Sequence, residues 1–276
     1  MRSPLNKRLF RELRGEFGKY LVIFILMTLT IGMVSGFLVA DGSMIQAYEE
    51  SFEKYSIENG HFRTEKKMNN AQIQDIEDLG IKLYENYYVE EALTNGSTMR
   101  IFKNRDEVNK VCLMKGKMPE KPGEIGIDRM YADNNDLSVG DEIESGGHTW
   151  KITGLVALSD YSALFSNNND SMFDSVKFGV SVVCPEEFDS YKADQLNYSY
   201  AWKYNTEPKN EKAEKDISED LMEDVAKEVT LEEFVPRYTN QAIIFTGDDM
   251  GGDRSMMIVL LYIIIVIMAF VFAITT

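Results

Sequence analysis

LMKGKMPEKPGEIGIDRMYADNNDLSVGDEIESGGHTWKITGLVALSDYSALF, residues 113–165, is cut by turn residues at short intervals. Gly116 precedes Met118-Pro119, and Pro122-Gly123 feeds the run Glu124–Asp128. Val139-Gly140-Asp141 turns the chain again, and Gly146-Gly147 closes a hairpin into His148–Leu158. Glycine supplies positive φ and proline presets φ in such turns. Short apolar or alternating runs between turns are strand patterning. Arg129–Asn135 breaks the pattern and reads as a short helix. Residues 110–158 are therefore expected to form a strand-rich block.

On the N-terminal side, Asn59-Gly60 precedes a short strand, His61–Glu65. Asn69–Leu79 reads as a helix, with Ile73, Ile76 and Leu79 on one side and Gly80 as its stop. Two strands, Lys82–Leu93 and Thr98–Lys103, flank an Asn95-Gly96 turn. This β-α-β-β series joined to the strand-rich block predicts an α+β domain. On the C-terminal side, Ser159–Ser175 is a polar loop of the kind that carries contacts or stays mobile. Its candidate partner-contact residues are Asp160, Tyr161, Phe165 and Asn168. Lys177–Cys184 reads as a strand, Pro185–Tyr191 as a short helix and Asn197–Lys203 as a strand. Pro208–Lys227 reads as a charged helix, and Val229–Tyr238 leads back toward a second apolar segment.

Two segments carry no charge: Leu21–Ala40 and Ser255–Thr276. Each is long enough to cross a hydrocarbon core of roughly 30 Å as a helix, which pairs its own backbone groups where water is absent. The first exceeds the apolar core of a signal peptide and its exit, FLVADGS, is a poor cleavage site, so a retained span is expected. Residues 1–20 carry a net +4 and residues 41–254 a net −20, within a chain of −16. A basic flank stays cytoplasmic, which places the acidic middle outside. The divisions expected are therefore a cytoplasmic amphipathic helix at 1–20, spans at 21–40 and 255–276, and an extracytoplasmic domain at 41–254. In the first helix Leu5, Leu9, Leu13 and Phe17 recur every four residues beside Phe10. That pattern suits the membrane interface, or alternatively a charged stop before the span. Gly32 and Gly36 are small residues four apart, candidates for close packing against another helix. Past the first span, Met44, Ile45, Tyr48, Phe52 and Tyr55 keep helical spacing. The helix is expected to continue as a stalk, with Tyr48 and Phe52 as coupling residues. Gly247–Arg254 reads as an acidic, glycine-rich linker.

The negative charge argues against a nucleic-acid partner. No P-loop, G-x-S-x-G, H-E-x-x-H or C-x-x-C motif is present, so no catalytic residue, cofactor or metal ligand set is expected and the chain does not read as an enzyme. His61 and His148, the two histidines, read as surface or structural groups. Asp248, Asp249 and Asp253 read as solvated charges, with divalent-ion binding as the alternative. Cys112 and Cys184 lie in strand-like runs and read as small buried thiols, a disulfide being the alternative.

The turn series of residues 113–165 resembles the extracytoplasmic domain of FtsX-like, MacB-type ABC transporter permeases. There a G-x-x-P-x-x-x-G-E-I element is followed by a short helix, L-x-V-G-D-x-I and a strand ending in G-[IL]-V. The matching residues are Gly116, Pro119, Gly123, Glu124, Ile125, Leu137, Val139, Gly140, Asp141, Ile143, Gly154, Leu155 and Val156. The opening KRLFRELRGEFGKYLVIFILMTLTIGMVSGFLVADGSM is similar to the start of such permeases. The resemblance implies a MacB-like periplasmic core between two transmembrane helices. It implies a permease subunit in the bacterial cell membrane that works with a separate cytoplasmic ABC ATPase and with further permease segments or a second permease copy. ATPase motion would then pass through the spans to the outer domain. Family members have at least four spans, so the closing segment is expected to be a second span cut from its continuation. The same span–domain–span plan also fits a two-span sensor or receptor, or a two-span adaptor. The extracytoplasmic substrate is not legible in the residues.

Overall fold

The computed structural model describes Arg11 and residues 14–275. The expected amphipathic helix at 1–20 falls largely outside them, including Leu5, Leu9, Phe10 and Leu13. In chain order the elements are helix α1 (Phe17–Lys54), β1 (Gly60–Thr64), α2 (Asn70–Glu77), β2 (Ile81–Glu85), β3 (Tyr88–Ala92), β4 (Thr98–Lys103) and β5 (Val111–Gly116). There follow β6 (Glu124–Asp128), α3 (Arg129–Asn134), β7 (Glu142–Ser145), β8 (His148–Leu158), β9 (Phe178–Val183) and α4 (Pro185–Phe188). The series ends with β10 (Tyr198–Tyr204), α5 (Glu211–Glu228), β11 (Leu231–Pro236) and α6 (Gln241–Thr275).

The chain divides into two compact units. One comprises the residues up to Tyr48 with those from Gly247 onward; the other is Glu49–Thr246. In the first unit, α1 and α6 are each long and apolar enough to cross a membrane. The stretch 247–254 is helical rather than a linker: the helix starts at Gln241 and runs through all three of its glycines. Interior glycine costs about 1 kcal/mol against alanine. At Gly247 the cost has a local reason, because an added Cβ would sit 2.6 Å from the Tyr48 ring. A side chain there would push the two helices apart. Asp41, buried on α1, lies 3.8 Å from the Arg254 guanidinium.

The second unit is an α+β domain built on two sheets. The smaller is antiparallel with order β11-β1-β10-β2; the larger runs β3-β4-β9-β6-β8-β5, with β7 pairing the opening half of β8. In the larger sheet β4 and β9 are parallel, as are β6 and β8. Strand β9 is buried at every position, as a central strand covered on both faces must be. Phe62, Tyr200 and Trp202 form the core face of the smaller sheet, which Ile76 of α2 and Leu221 and Val225 of α5 join.

Local chemistry sets the element ends. Asn69 caps α2 by accepting from the backbone N–H groups of Ala71 and Gln72, while its own N–H donates to the Gln72 side chain. That reciprocal pair satisfies donors the helix leaves open. Asp128 caps α3 by accepting from Met130 and Tyr131 N–H. Helix α5 starts three residues later than its charge pattern suggests, because Asn210 caps it through Ala213 N–H.

The expected strand Lys82–Leu93 is two strands in different sheets. Strand β2 pairs with β10, whereas β3 pairs with β4. At the break Asn86 N–H donates to Ser199 O at 2.9 Å and Tyr88 N–H to Asn197 O at 3.3 Å. The Tyr87 hydroxyl donates to that of Tyr200 at 2.7 Å. Asn86 and Tyr88 N–H thus keep backbone partners across the change of sheets. Residues 231–236, expected only as a return segment, form an edge strand on β1.

Candidate functional site

The two sheets of the α+β domain leave a cleft between them of about 590 Å³. Alternation along β1 supplies one wall. Phe62 and Thr64 are buried, so His61 and Arg63 take the opposite face, where Arg63 is in register with Ser199 and Glu233. The other wall comes from the larger sheet, through Tyr88 and Glu90 of β3, Arg100 of β4 and Phe178 of β9. The loop 159–175 closes one side.

All four loop residues singled out from the sequence, Asp160, Tyr161, Phe165 and Asn168, line this cleft. They do not form an open contact surface. Asp160 and Phe165 are buried and Tyr161 is half-buried. Phe165, Phe173 and Phe245 pack edge to face with centroids 5.3–5.7 Å apart. The Ser162 hydroxyl donates to the carbonyls of Ala242 and Ile243, both at 2.9 Å. Asp160 and Ser162 thus pin the start of the loop to the domain, while Ser166, Asn167, Asn169, Ser171 and Asp174 stay exposed.

A buried polar network underlies the cleft at the junction of the sheets. Arg105 makes a two-pronged ion pair with Asp160, both contacts at 2.7 Å, and also donates to Asn86 Oδ1 at 2.8 Å. Asn109 Nδ2 donates to Glu58 at 2.6 Å, and Glu58 pairs with His61 Nδ1 at 2.6 Å. Arg105 and Asp160 side chains are 7% and 5% exposed, and Glu58 1%. Burial pushes the Glu58 carboxyl up, but the His61 charge, the bonds from His61 and Asn109, and Arg105 outweigh it, so it titrates below its usual value. Burial pushes His61 down, yet Glu58 more than reverses that, so the imidazole titrates above its usual value. Asp160 is raised by burial, which its bond to Arg105 only partly offsets. The pair His61–Glu58 can hold or pass a proton, but among the described residues no hydroxyl or thiol donates to His61. The arrangement positions charge; it does not assemble a nucleophile.

Arg100 is committed on every side. It donates to Glu90 at 2.6 and 2.9 Å, to the Tyr161 hydroxyl at 2.7 Å and to Ser166 O at 2.9 Å. Its guanidinium lies 4.5 Å from the Tyr88 ring centroid and 5.0 Å from that of Phe178. Burial pulls it down, but Tyr161, Tyr88 and Glu90 more than reverse that and hold it above the ordinary arginine range.

The remaining sequence candidates lie elsewhere. Gly32 and Gly36 have nothing within 4 Å of an added Cβ. The groove between α1 and α6 is lined instead by Met27, Ile31 and Val34 with Leu261, Ile264 and Met268. Tyr48 packs on Gly247, and the Phe52 ring faces the Arg237 guanidinium at 5.3 Å. Cys112 and Cys184 are free thiols; Cys184 is buried as expected, whereas Cys112 is only half-buried and accepts from the Tyr55 hydroxyl. His148 stacks on Trp150. No group of three or more His, Cys, Asp or Glu able to hold a metal occurs among the described residues, Asp248, Asp249 and Asp253 included. Sequence reasoning missed His61, Arg63 and Arg100. The alternation Phe62/Thr64 against His61/Arg63 marked a polar strand face, but what it faces is set by a sheet formed from distant segments.

The residues of the turn series have structural work to do. Gly116, Gly123 and Gly140 have positive φ. Ile125, Ile143, Leu155 and Val156 are buried. Asp141 accepts from Ser138 N–H and Glu124 from Glu120 N–H, at 2.8 and 2.9 Å.

No protein-family model and no curated protein matches the chain. Among solved structures, the chain is similar to the periplasmic region of MacB from Actinobacillus actinomycetemcomitans, at 11% identity and a TM-score of 0.34, over 62% of this chain and 85% of that one. It is also similar to the extracellular domain of the noncanonic ABC-type transporter YknZ from Gram-positive bacteria, at 11% identity and a TM-score of 0.33, over 63% of this chain and 98% of that one.

Proposed function

We propose that this chain is a permease component of an ABC transporter of the FtsX/MacB type. The observation that carries the reading is the order of its parts. An apolar helix is followed by an α+β domain whose turn series matches the family pattern residue by residue, and then by a second apolar helix. In this reading the basic N-terminal flank is cytoplasmic, the α+β domain is extracytoplasmic, and ATP is hydrolysed on a separate subunit. The chain itself is not an enzyme. Helix α1, which extends to Lys54, and α6, which starts at Gln241, transmit movement to the domain.

Transmission through a helix requires an unbroken hydrogen-bond ladder. Proline in a helix interior removes one bond and clashes with the preceding turn, at a cost of about 3 kcal/mol. The Glu50→Pro variant, between Tyr48 and Phe52, is expected to reach the membrane at the wild-type level. In cells lacking the native chain it should restore the lost transporter function at least tenfold less well. Wild-type function in that variant would contradict coupling through α1. The cleft also suits a two-span receptor, and that reading is favoured if no ATPase subunit co-purifies with the chain from its native membrane.

A further inference from the structure

Most polar groups of the cleft are spent inside the protein, but a set of donors is not. Asn86 Oδ1 accepts from Arg105 at 2.8 Å, Asn168 Oδ1 from Gln241 N–H at 2.8 Å, and Asn240 Oδ1 from Ala242 N–H at 3.1 Å. Each of these oxygens is held by an N–H group, so none of the three amides can turn over without losing its bond. Their Nδ2 groups have no acceptor among the described residues, and all three residues line the cleft. His61 adds a fourth donor. Its Nδ1 is paired with Glu58 at 2.6 Å, a contact that favours the protonated ring, and Nε2 has no partner among the described residues.

We infer that the cleft is a binding site for a short run of peptide backbone, whose carbonyl oxygens accept from Asn86, Asn168, Asn240 and His61. The donors call for an acceptor-rich ligand, and the charges decide which kind. Around the donors, Arg63 stands beside Glu233, Arg100 beside Glu90, and Lys177 near Asp174 in sequence. Five carboxylates line the cleft, Glu58, Glu90, Asp160, Asp174 and Glu233, against Arg63, Arg100, Lys177 and His61, so a polyanion would meet more carboxylates than cations. Amide carbonyls are strong acceptors without net charge, and a cleft of about 590 Å³ lies within the usual range of ligand sites. The inference holds whether or not an ATPase works with the chain.

The test uses the full chain in lipid nanodiscs with N-acetyl-trialanine amide as probe. Asn168→Asp and Asn240→Asp keep the side-chain oxygens that serve Gln241 and Ala242 N–H while removing both Nδ2 donors. Saturable binding to the wild type, weakened at least tenfold in the double variant, is the expected result. The chain has two histidines, so imidazole resonances provide a readout that needs no variant. The His61 signal should shift on adding the peptide and the His148 signal should not. The inference is overturned if the peptide does not bind saturably, if the double variant binds equally well, or if the His61 signal is unmoved. It is also overturned if maltotriose or citrate binds more tightly than the peptide.

Discussion

The Arg105→Met variant should lose about 3–5 kcal/mol of domain stability, the range found when one partner of a buried ion pair is removed. Among the described residues Arg105 is the only cation that hydrogen-bonds Asp160, and both side chains are almost fully buried. Methionine is similar in length and keeps contact with the Phe102 ring, which the guanidinium overlies at 4.6 Å. The loss then reports charge rather than volume. Trp150 and Trp202 are the two tryptophans of the chain, both buried in this domain, so urea denaturation followed by fluorescence reads its unfolding. The pH dependence has a definite sign. Burial already raises Asp160, and losing Arg105 raises it further. A carboxyl with a raised folded-state pKa favours folding most below its unfolded value and loses that contribution as pH rises. The deficit of the variant should therefore be larger at pH 7.5 than at pH 5. An equal deficit at both values would remove Asp160 ionisation from the explanation.

Gly116→Ala should cost about 3 kcal/mol and loosen the pairing of β5 with β8. Gly116 has φ +80, and an added Cβ would lie 2.3 Å from Thr153 O, where Lys117 N–H donates at 2.9 Å. The left-handed conformation costs roughly 1–2 kcal/mol for an L-residue, and a clash with backbone adds about 1–3 kcal/mol. Gly96→Ala separates the two terms. Gly96 has φ +81 with nothing within 4 Å, so its alanine variant should show the conformational cost alone. The same urea measurement on both variants checks this, and equal losses would refute the clash at Gly116.

Much of the domain was legible because its signals are local. The capping pair Asn69–Gln72 and the turns at Gly116, Gly123 and Gly140 act within a few residues, and the helix at Arg129 follows its Asp128 cap. Three features were not legible, each for a non-local reason. The alternation of residues 82–93 continues through Asn86-Tyr87, and only the partners β10 and β4 reveal two strands. Residues 247–254 look like a linker by composition, but helix continues through them, and Gly247 answers to Tyr48, about 200 positions away in the chain. The loop 159–175 was picked for its polarity. The structure gives Asp160 and Ser162 an internal use and places Asp160, Tyr161, Phe165 and Asn168 around one cleft. The cleft draws its walls from six strands and the loops beside them, spread between Glu58 and Ala242, which no sequence window can bring together.

The claim on which the functional account depends is that the α+β domain and the basic N-terminal flank lie on opposite sides of a membrane. It is tested most directly by labelling intact cells with a membrane-impermeant maleimide. In a Cys112→Ser/Cys184→Ala background, Lys209→Cys reports the domain and Lys19→Cys the flank; both positions are exposed. The account predicts labelling at position 209 in intact cells and at position 19 only after the membrane is permeabilised. Labelling at position 19 before permeabilisation, or none at position 209 until after it, would contradict the account.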